Sequence, residues 1–284
     1  MIDIPIVDSH LHVWNPETVS YPWLIDLPKL NRPHLPDEYR EITNGLLIEK
    51  MVFVQCEADF AMFREEVDWV SEQAALEPRI KAIVAWAPLE KGEAAREDLA
   101  GLKENMLVRG IRRIIQFEED TSFCLQPDFI RGVQLLAEFD LHFEICIKGD
   151  EQFKNTLELV RQCPDVRFML DHIGKPFIKE GIMDPWAGYL RELARMPNTF
   201  CKMSGLVNEA DMEQWTSDDL RPYIDRVIGT FGVDRITFGG DWPVCTLATT
   251  YGRWIQTLWD TVSGCNDDER HKLFHDNAEK FYRL

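Results

Sequence analysis

The chain is short of positive charge: 31 Lys and Arg stand against 49 Asp and Glu, a formal net charge of -18. A surface that acidic repels phosphate backbones and anionic lipid, which excludes nucleic acid and membrane surfaces as partners. Long apolar runs are missing as well. No stretch approaches the roughly 20 residues that span a bilayer, and the N-terminus lacks the basic, apolar and small-residue sections of a signal peptide, so a cytoplasmic protein is expected. The seven cysteines, Cys56, Cys124, Cys146, Cys163, Cys201, Cys245 and Cys265, are scattered and form no CxxC pair. That excludes a disulfide framework and a zinc knuckle, and predicts reduced thiols that mostly serve as small buried apolar residues. No G-x-S-x-G elbow is present, and the first apolar run is not followed by a Gly-rich phosphate turn. No linker, low-complexity tract or repeat divides the 284 residues, 45% of which are hydrophobic, so a single domain over 1–284 with a sizeable core is expected. No stretch marks a subunit interface, and oligomeric state is not read from the chain.

What is present is a rhythm. Eight apolar, β-branched runs recur: "IPIVDSHLHV", "KMVFVQCEA", "IKAIVAWAPL", "VRGIRRIIQF", "LHFEICIK", "VRFMLDHI", "TFCKMSGL" and "RITFGGDW". Between them lie segments of helical composition such as "FREEVDWVSEQAALE" and "DEQFKNTLELVRQC", the latter with Phe153, Leu157 and Val160 on one face. Alternating strands and helices imply a parallel sheet. Eight repeats in this length match a (β/α)8 barrel better than an open doubly wound sheet. The segment "VWNPETVSYPWLIDLP" then reads as a long loop over the active site.

In such a barrel the catalytic groups lie at the C-terminal ends of the strands. The eight runs end on His10 and His12, Glu57, Trp86, Gln116, Lys148, Asp171 with His172, Lys202 with Ser204, and Asp241 with Trp242. His10 and His12 are two apart on a strand, so both imidazoles project to one face and form a bidentate clip. An ordinary pair of loop histidines is the plainer reading, which the place at the end of the first strand disfavours. His172 and Asp241 each follow a hydrophobic strand. Singly, either suits a hydrogen-bonded structural role; with the clip they complete three imidazoles and one carboxylate, a donor set for zinc or another borderline divalent metal with a position left for water. Asp241 suits equally the base that takes a proton from that water.

The motifs "VDSHLHVW", "YPWL", "VRGIRR", "DHIGKP", "KMSGL", "FGGDWPV" and "DNAEKFYRL" together resemble the amidohydrolase superfamily, in its amidohydrolase-2 branch of sugar-acid and related lactonases, from residue 7 to about residue 282. The resemblance implies a distorted (β/α)8 barrel that hydrolyses a small lactone, with His10, His12, His172 and Asp241 at the matching positions. It departs from the binuclear members, since "KMSGL" offers Lys202 and Ser204 where a further histidine would stand, so no second metal is expected. The branch resembles both enzymes that bind one zinc and enzymes that bind none, which leaves one divalent metal, zinc first, and metal-free catalysis both open. A lactone tolerates either, because its carbonyl is electrophilic enough for a positioned base and oxyanion donors.

Arg112 and Arg113 alternate faces, and the resemblance favours Arg112 as the one that points inward. Lys175 and Lys202 are candidates for anchoring substrate oxygens; Lys175 suits equally a loop-fixing role before Pro176. Among Trp14, Trp23, Trp86 and Trp242, Trp23 and Trp242 are the preferred sugar-stacking candidates, against plain packing. Glu57 joins the substrate-binding candidates, while Glu144 and Lys148 suit a polar rim or buried ion pairs. His34, in the first loop, is expected to be solvent-exposed, and His142, His271 and His275 are given no catalytic role. A cysteine hydrolase lacks an activating motif. A lactone isomerase on the same scaffold and a non-catalytic small-molecule-binding barrel stand as alternatives.

Overall fold

A computed structural model describes residues 2–284. Eight strands follow one another as β1 (Ile6–Leu11), β2 (Ile48–Val54), β3 (Ile80–Ala85), β4 (Val108–Ile111), β5 (His142–Ile145), β6 (Phe168–Leu170), β7 (Thr199–Met203) and β8 (Ile236–Phe238). Each coincides with one of the eight apolar runs. All seven neighbouring pairs are parallel and in sequence order. Past the ends of β1 and β8 the circle nearly closes: His12 N–H donates to the carbonyl of Trp242 at 2.8 Å and Asp241 N–H to that of His10 at 2.8 Å. The expected (β/α)8 barrel is what the chain forms.

The pleat sorts the strand residues. Met51, Phe53, Ile83, Phe143, Phe168 and Phe238 face outward into the layer shared with the helices. Val52, Val54, Ala82, Val84 and Met169 face the barrel interior, where they meet Ala278, Phe281 and Tyr282 of the C-terminal helix Asn277–Tyr282. The helix Asp150–Gln162 buries Phe153, Leu157 and Val160 against the sheet, as its spacing predicts.

β1 breaks the alternation. Val7 is in the interior cluster, and the Ser9 hydroxyl meets Thr237, so a strict pleat would send Leu11 inward and His10 outward. The register of β1 against β2 instead shifts between Asp8 and Leu11, Leu11 joins the outer layer, and His10 turns inward. Such an irregularity re-aims a side chain at the rim of a barrel. Asp8 holds it in place by accepting the His10 N–H at 3.0 Å and the Gly240 N–H at 2.8 Å, with the Tyr39 and Tyr251 hydroxyls donating at 2.7 and 3.1 Å.

Candidate active site

A layer of charge lies above the apolar interior. Lys202 Nζ, with no exposed surface, donates to Glu144 Oε2 at 2.7 Å and to His10 Nδ1 at 3.0 Å, and pairs with Asp171 Oδ1 at 3.0 Å. Asp171 also pairs with Arg112 at 3.3 Å. Burial works against the Asp171 carboxylate, but Lys202 and Arg112 outweigh it and hold the group well below the usual carboxylate range. Glu144 is likewise lowered against the cost of its burial by Lys202 and His142, and its other oxygen accepts from the Tyr282 hydroxyl at 2.6 Å. Lys202 is therefore corrected from a substrate anchor to a buried support: a side chain with its donors committed beneath His10 presents nothing to a ligand. Glu144 takes the ion-pair alternative, and Lys148 stays on the rim beside Glu209 at 3.1 Å.

Over this layer the imidazoles converge. His12 Nδ1 lies 2.7 Å from the Val54 carbonyl, so it donates there and leaves its Nε2 lone pair facing the site. His10 Nδ1 accepts from Lys202, so the proton of neutral His10 sits on Nε2 and points at His12 Nε2, 3.2 Å away. Burial, then Lys202 and His12, push the His10 pKa far down; burial, then His10 and Lys175, do the same to His172. Both are neutral at pH 7. Asp241 Oδ1 stands 3.6 Å from His10 Nε2 and 3.5 Å from His12 Nε2, and the His172 ring centre lies 4.6 Å from that of His10.

The backbone is cut to fit. His172 (φ 51°), Lys175 (φ 49°) and Asp241 (φ 55°) occupy the left-handed region, uncommon for residues with a Cβ and concentrated here at strand ends. Gly205 is required by its φ of 69° and because a Cβ there would collide with the His172 ring, whose Nδ1 contacts the Ser204 hydroxyl at 2.9 Å.

The donors fit a metal. His10, His172 and Asp241 offer ligand atoms within 4.8 Å of one another. The 3.2, 3.5 and 3.6 Å separations among His10, His12 and Asp241 approach the edge of a tetrahedron with metal–nitrogen bonds of about 2.0 to 2.1 Å, which is about 3.3 Å. The proton between His10 and His12 occupies the same place, so metal and proton exclude each other there.

Above these groups opens a cavity of about 240 Å³, sized for a small monocyclic molecule. His12, His172, Asp241, Arg112, Lys175, Glu57 and Trp23 all line it. Arg112 donates to the Gln55 carbonyl at 2.5 Å, and its Nε faces no protein acceptor. Lys175 donates to the Gln116 amide at 2.5 Å, and Gln55 Nε2 to Glu57 at 2.8 Å. Burial raises the Glu57 carboxyl.

Several expectations change. Trp242 does not line the cavity; it is buried edge-on against Tyr39 and His34, because the turn that aims Asp241 inward sends the next side chain into the first loop. Trp86 stacks on Phe60 outside the cavity. His34 is buried, not exposed: Trp14 and His34 exchange backbone hydrogen bonds of 3.0 and 2.9 Å, which folds the loop back over itself. Burial and Arg32 lower its pKa to about 4. Arg113 is neither inward nor exposed, lying between Glu90 and Glu118. Six of the seven cysteines are buried. Cys56 sits 3.4 Å from His12 Nδ1, but burial, then Glu66, raise its thiol far above the range of a nucleophile. Asn208 and Glu209, which no motif marks, also line the cavity from the short helix Leu206–Glu209 after β7; their position after a strand end is the only signal they carry in the sequence.

A family model described as amidohydrolase matches residues 7–284. An L-fucono-1,5-lactonase from Burkholderia multivorans is 33% identical, covering 98% of this chain and 96% of the relative. One from Burkholderia ambifaria is 29% identical over 98% and 95%. A crystal structure of an amidohydrolase from Burkholderia multivorans with bound zinc superposes with a TM-score of 0.89 at 30% identity, over 99% of this chain and 100% of that one.

Proposed function

The chain belongs to the amidohydrolase family and is a hydrolase of cyclic esters, and from that premise we propose that, as one domain, it opens a small sugar-acid lactone to the open-chain acid. The observation that carries this reading is the convergence of His12 and Asp241 on the floor of a cavity of matching size, within 3.6 Å of one another and of the buried His10 beneath them. Asp241 takes a proton from water as the water oxygen bonds to the lactone carbonyl carbon. The developing oxyanion is met by His172 and by the Arg112 guanidinium, both fixed before substrate arrives. When the ring C–O bond breaks, Asp241 returns the proton to the departing oxygen, and the new carboxylic acid ionises. Glu57, Lys175 and Trp23 hold the ring and its hydroxyls. One zinc, held by His10, His12, His172 and Asp241, would supply Lewis-acid polarisation of the carbonyl. The relatives are sugar lactonases, which supports an aldonolactone as the substrate. No helix among the described residues is long and apolar enough to cross a membrane, and a cytoplasmic location is part of the same proposal.

The test is a pH-indicator screen of aldonolactones with products identified by NMR, run on wild type and Asp241→Asn. Turnover by wild type that falls to background in the variant, with unchanged circular dichroism, is expected. Near-wild-type activity in the variant removes Asp241 from its role, and failure to hydrolyse any lactone overturns the function.

A further inference from the structure

At the opposite end of the barrel a second group of donors has no part in this chemistry. His271 ends the helix Asp267–His271, and the backbone continues as a π-turn over Lys272–Asp276 before the helix Asn277–Tyr282. In a regular α-helix, residues five apart lie about 140° apart around the axis, so His271 and Asp276 would face different ways. The wider i→i+5 turn returns them to one face, and such bulges are frequent at functional sites. Asp276 Oδ1 lies 3.0 Å from His271 Nδ1 and 2.8 Å from His275 Nδ1. The two imidazole centres are 5.1 Å apart.

His275 is oriented from behind. Its Nδ1–H donates to Asp276 Oδ1 in the metal-free protein, and a metal taking that place moves the ring proton to Nε2, where Glu49 Oε2 at 3.3 Å and Glu279 Oε1 at 3.9 Å stand to accept it. A carboxylate behind an imidazole is the arrangement that fixes tautomer and raises basicity in metal-binding histidines. The His271 and Asp276 side chains are 38% and 53% exposed, which leaves the remaining coordination positions open to water.

We propose that His271, His275 and Asp276 form a second divalent-metal site, selective for borderline ions such as nickel, copper and zinc, that staples the C-terminal segment to the start of β2 through Glu49. Two imidazoles with one carboxylate suit those ions and not calcium or magnesium. The site acts on stability: the helix it precedes carries Phe281 and Tyr282 into the barrel interior, and Asn277 bonds the Ile236 carbonyl at the start of β8. It lies away from the lactone cavity and does not depend on the function proposed above.

Untagged, metal-stripped full-length protein is titrated with nickel(II) and with zinc(II) by calorimetry, alongside His271→Ala, the double variant His271→Ala/His275→Ala, Glu49→Gln and Asp241→Asn. The double variant is expected to lose one equivalent of metal that Asp241→Asn retains, and Glu49→Gln to weaken that equivalent about tenfold. Nickel should raise the melting temperature of Asp241→Asn by more than that of a variant that adds His271→Ala and His275→Ala to it. The exposed single change His271→Ala keeps the test valid if the double variant does not fold, and should itself lose the tight equivalent. Equal stoichiometry in wild type and in the folded His271 variants, or no nickel bound by Asp241→Asn below about millimolar concentration, overturns the site.

Discussion

At the lower end of the barrel Val7, Val52, Ala82, Met169, Phe281 and Tyr282 meet through apolar surface, whereas at the upper end the same sheet finishes in His10, His12, Arg112, Asp171, His172 and Asp241. The apolar interior of the lower end has interchangeable chemistry: its side chains need only volume and apolarity. The upper end holds five of the seven non-glycine residues with positive φ among the described residues, namely Glu57, His172, Ile173, Lys175 and Asp241. Strain and buried charge are tolerated there because the packed lower end supplies the stability. Lys202, Glu144 and Asp171 form the boundary, and Tyr282 joins the two halves by donating to Glu144.

The sharpest way to test this division is to damage each end separately. Asp241→Asn should lower kcat by about 10²- to 10⁴-fold, the range of a general base, while the melting temperature stays close to wild type. A parallel loss of stability would mean that the upper end also bears the fold. Phe281→Ala should do the reverse, costing about 3–5 kcal/mol in denaturant unfolding, with kcat/KM per folded molecule within about twofold of wild type.

Glu66 blurs the boundary, since its buried carboxyl accepts the Cys56 N–H behind the cavity wall at 3.0 Å. Burial raises its pKa from 4.5 to about 7, opposed by that N–H. A raised carboxyl contributes stability that is complete below about pH 4.5 and is lost as pH rises through about 7. Unfolding free energy should therefore fall by up to about 3 kcal/mol between pH 4.5 and 8, and Glu66→Gln should flatten that slope. A slope unchanged in the variant assigns it to another group.

The smallest effect concerns the proton between His10 and His12. Zinc at Nε2 sends that proton to Nδ1, the position Lys202 fills by donation, so His10 and Lys202 together give up one proton; calorimetry of Glu49→Gln/His271→Ala, where the second site is removed, should show about one proton released per zinc. Affinity should then rise about tenfold per pH unit below the pKa of the group that releases it. Zinc uptake without proton release would mean that the His10 tautomer is not the one Lys202 imposes.

Much of this is legible in the sequence. Eight β-branched runs separated by amphipathic segments admit few parallel architectures, and strand ends are where a barrel collects its chemistry, so His10, His12, His172 and Asp241 stand out by position. Lys202 did not read correctly, because a lysine after an apolar run looks the same whether its ammonium reaches a cavity or two buried carboxylates. Trp242 and His34 misled for a related reason: loop packing sets their burial, and no periodicity encodes it.

The sequence by itself determined the number and order of the strands and which residues cap them, since hydrophobic periodicity is a local property that each segment carries alone. Only the tertiary structure decided the register shift that turns His10 inward, the Lys202 contact that places its proton, and the π-turn that brings His271 and Asp276 to one face. The first two depend on partners about 190 to 230 residues away, Lys202 and Gly240, and the third on a backbone turn that no side-chain pattern announces. Distances of a few ångströms between such groups are set by how the whole barrel closes.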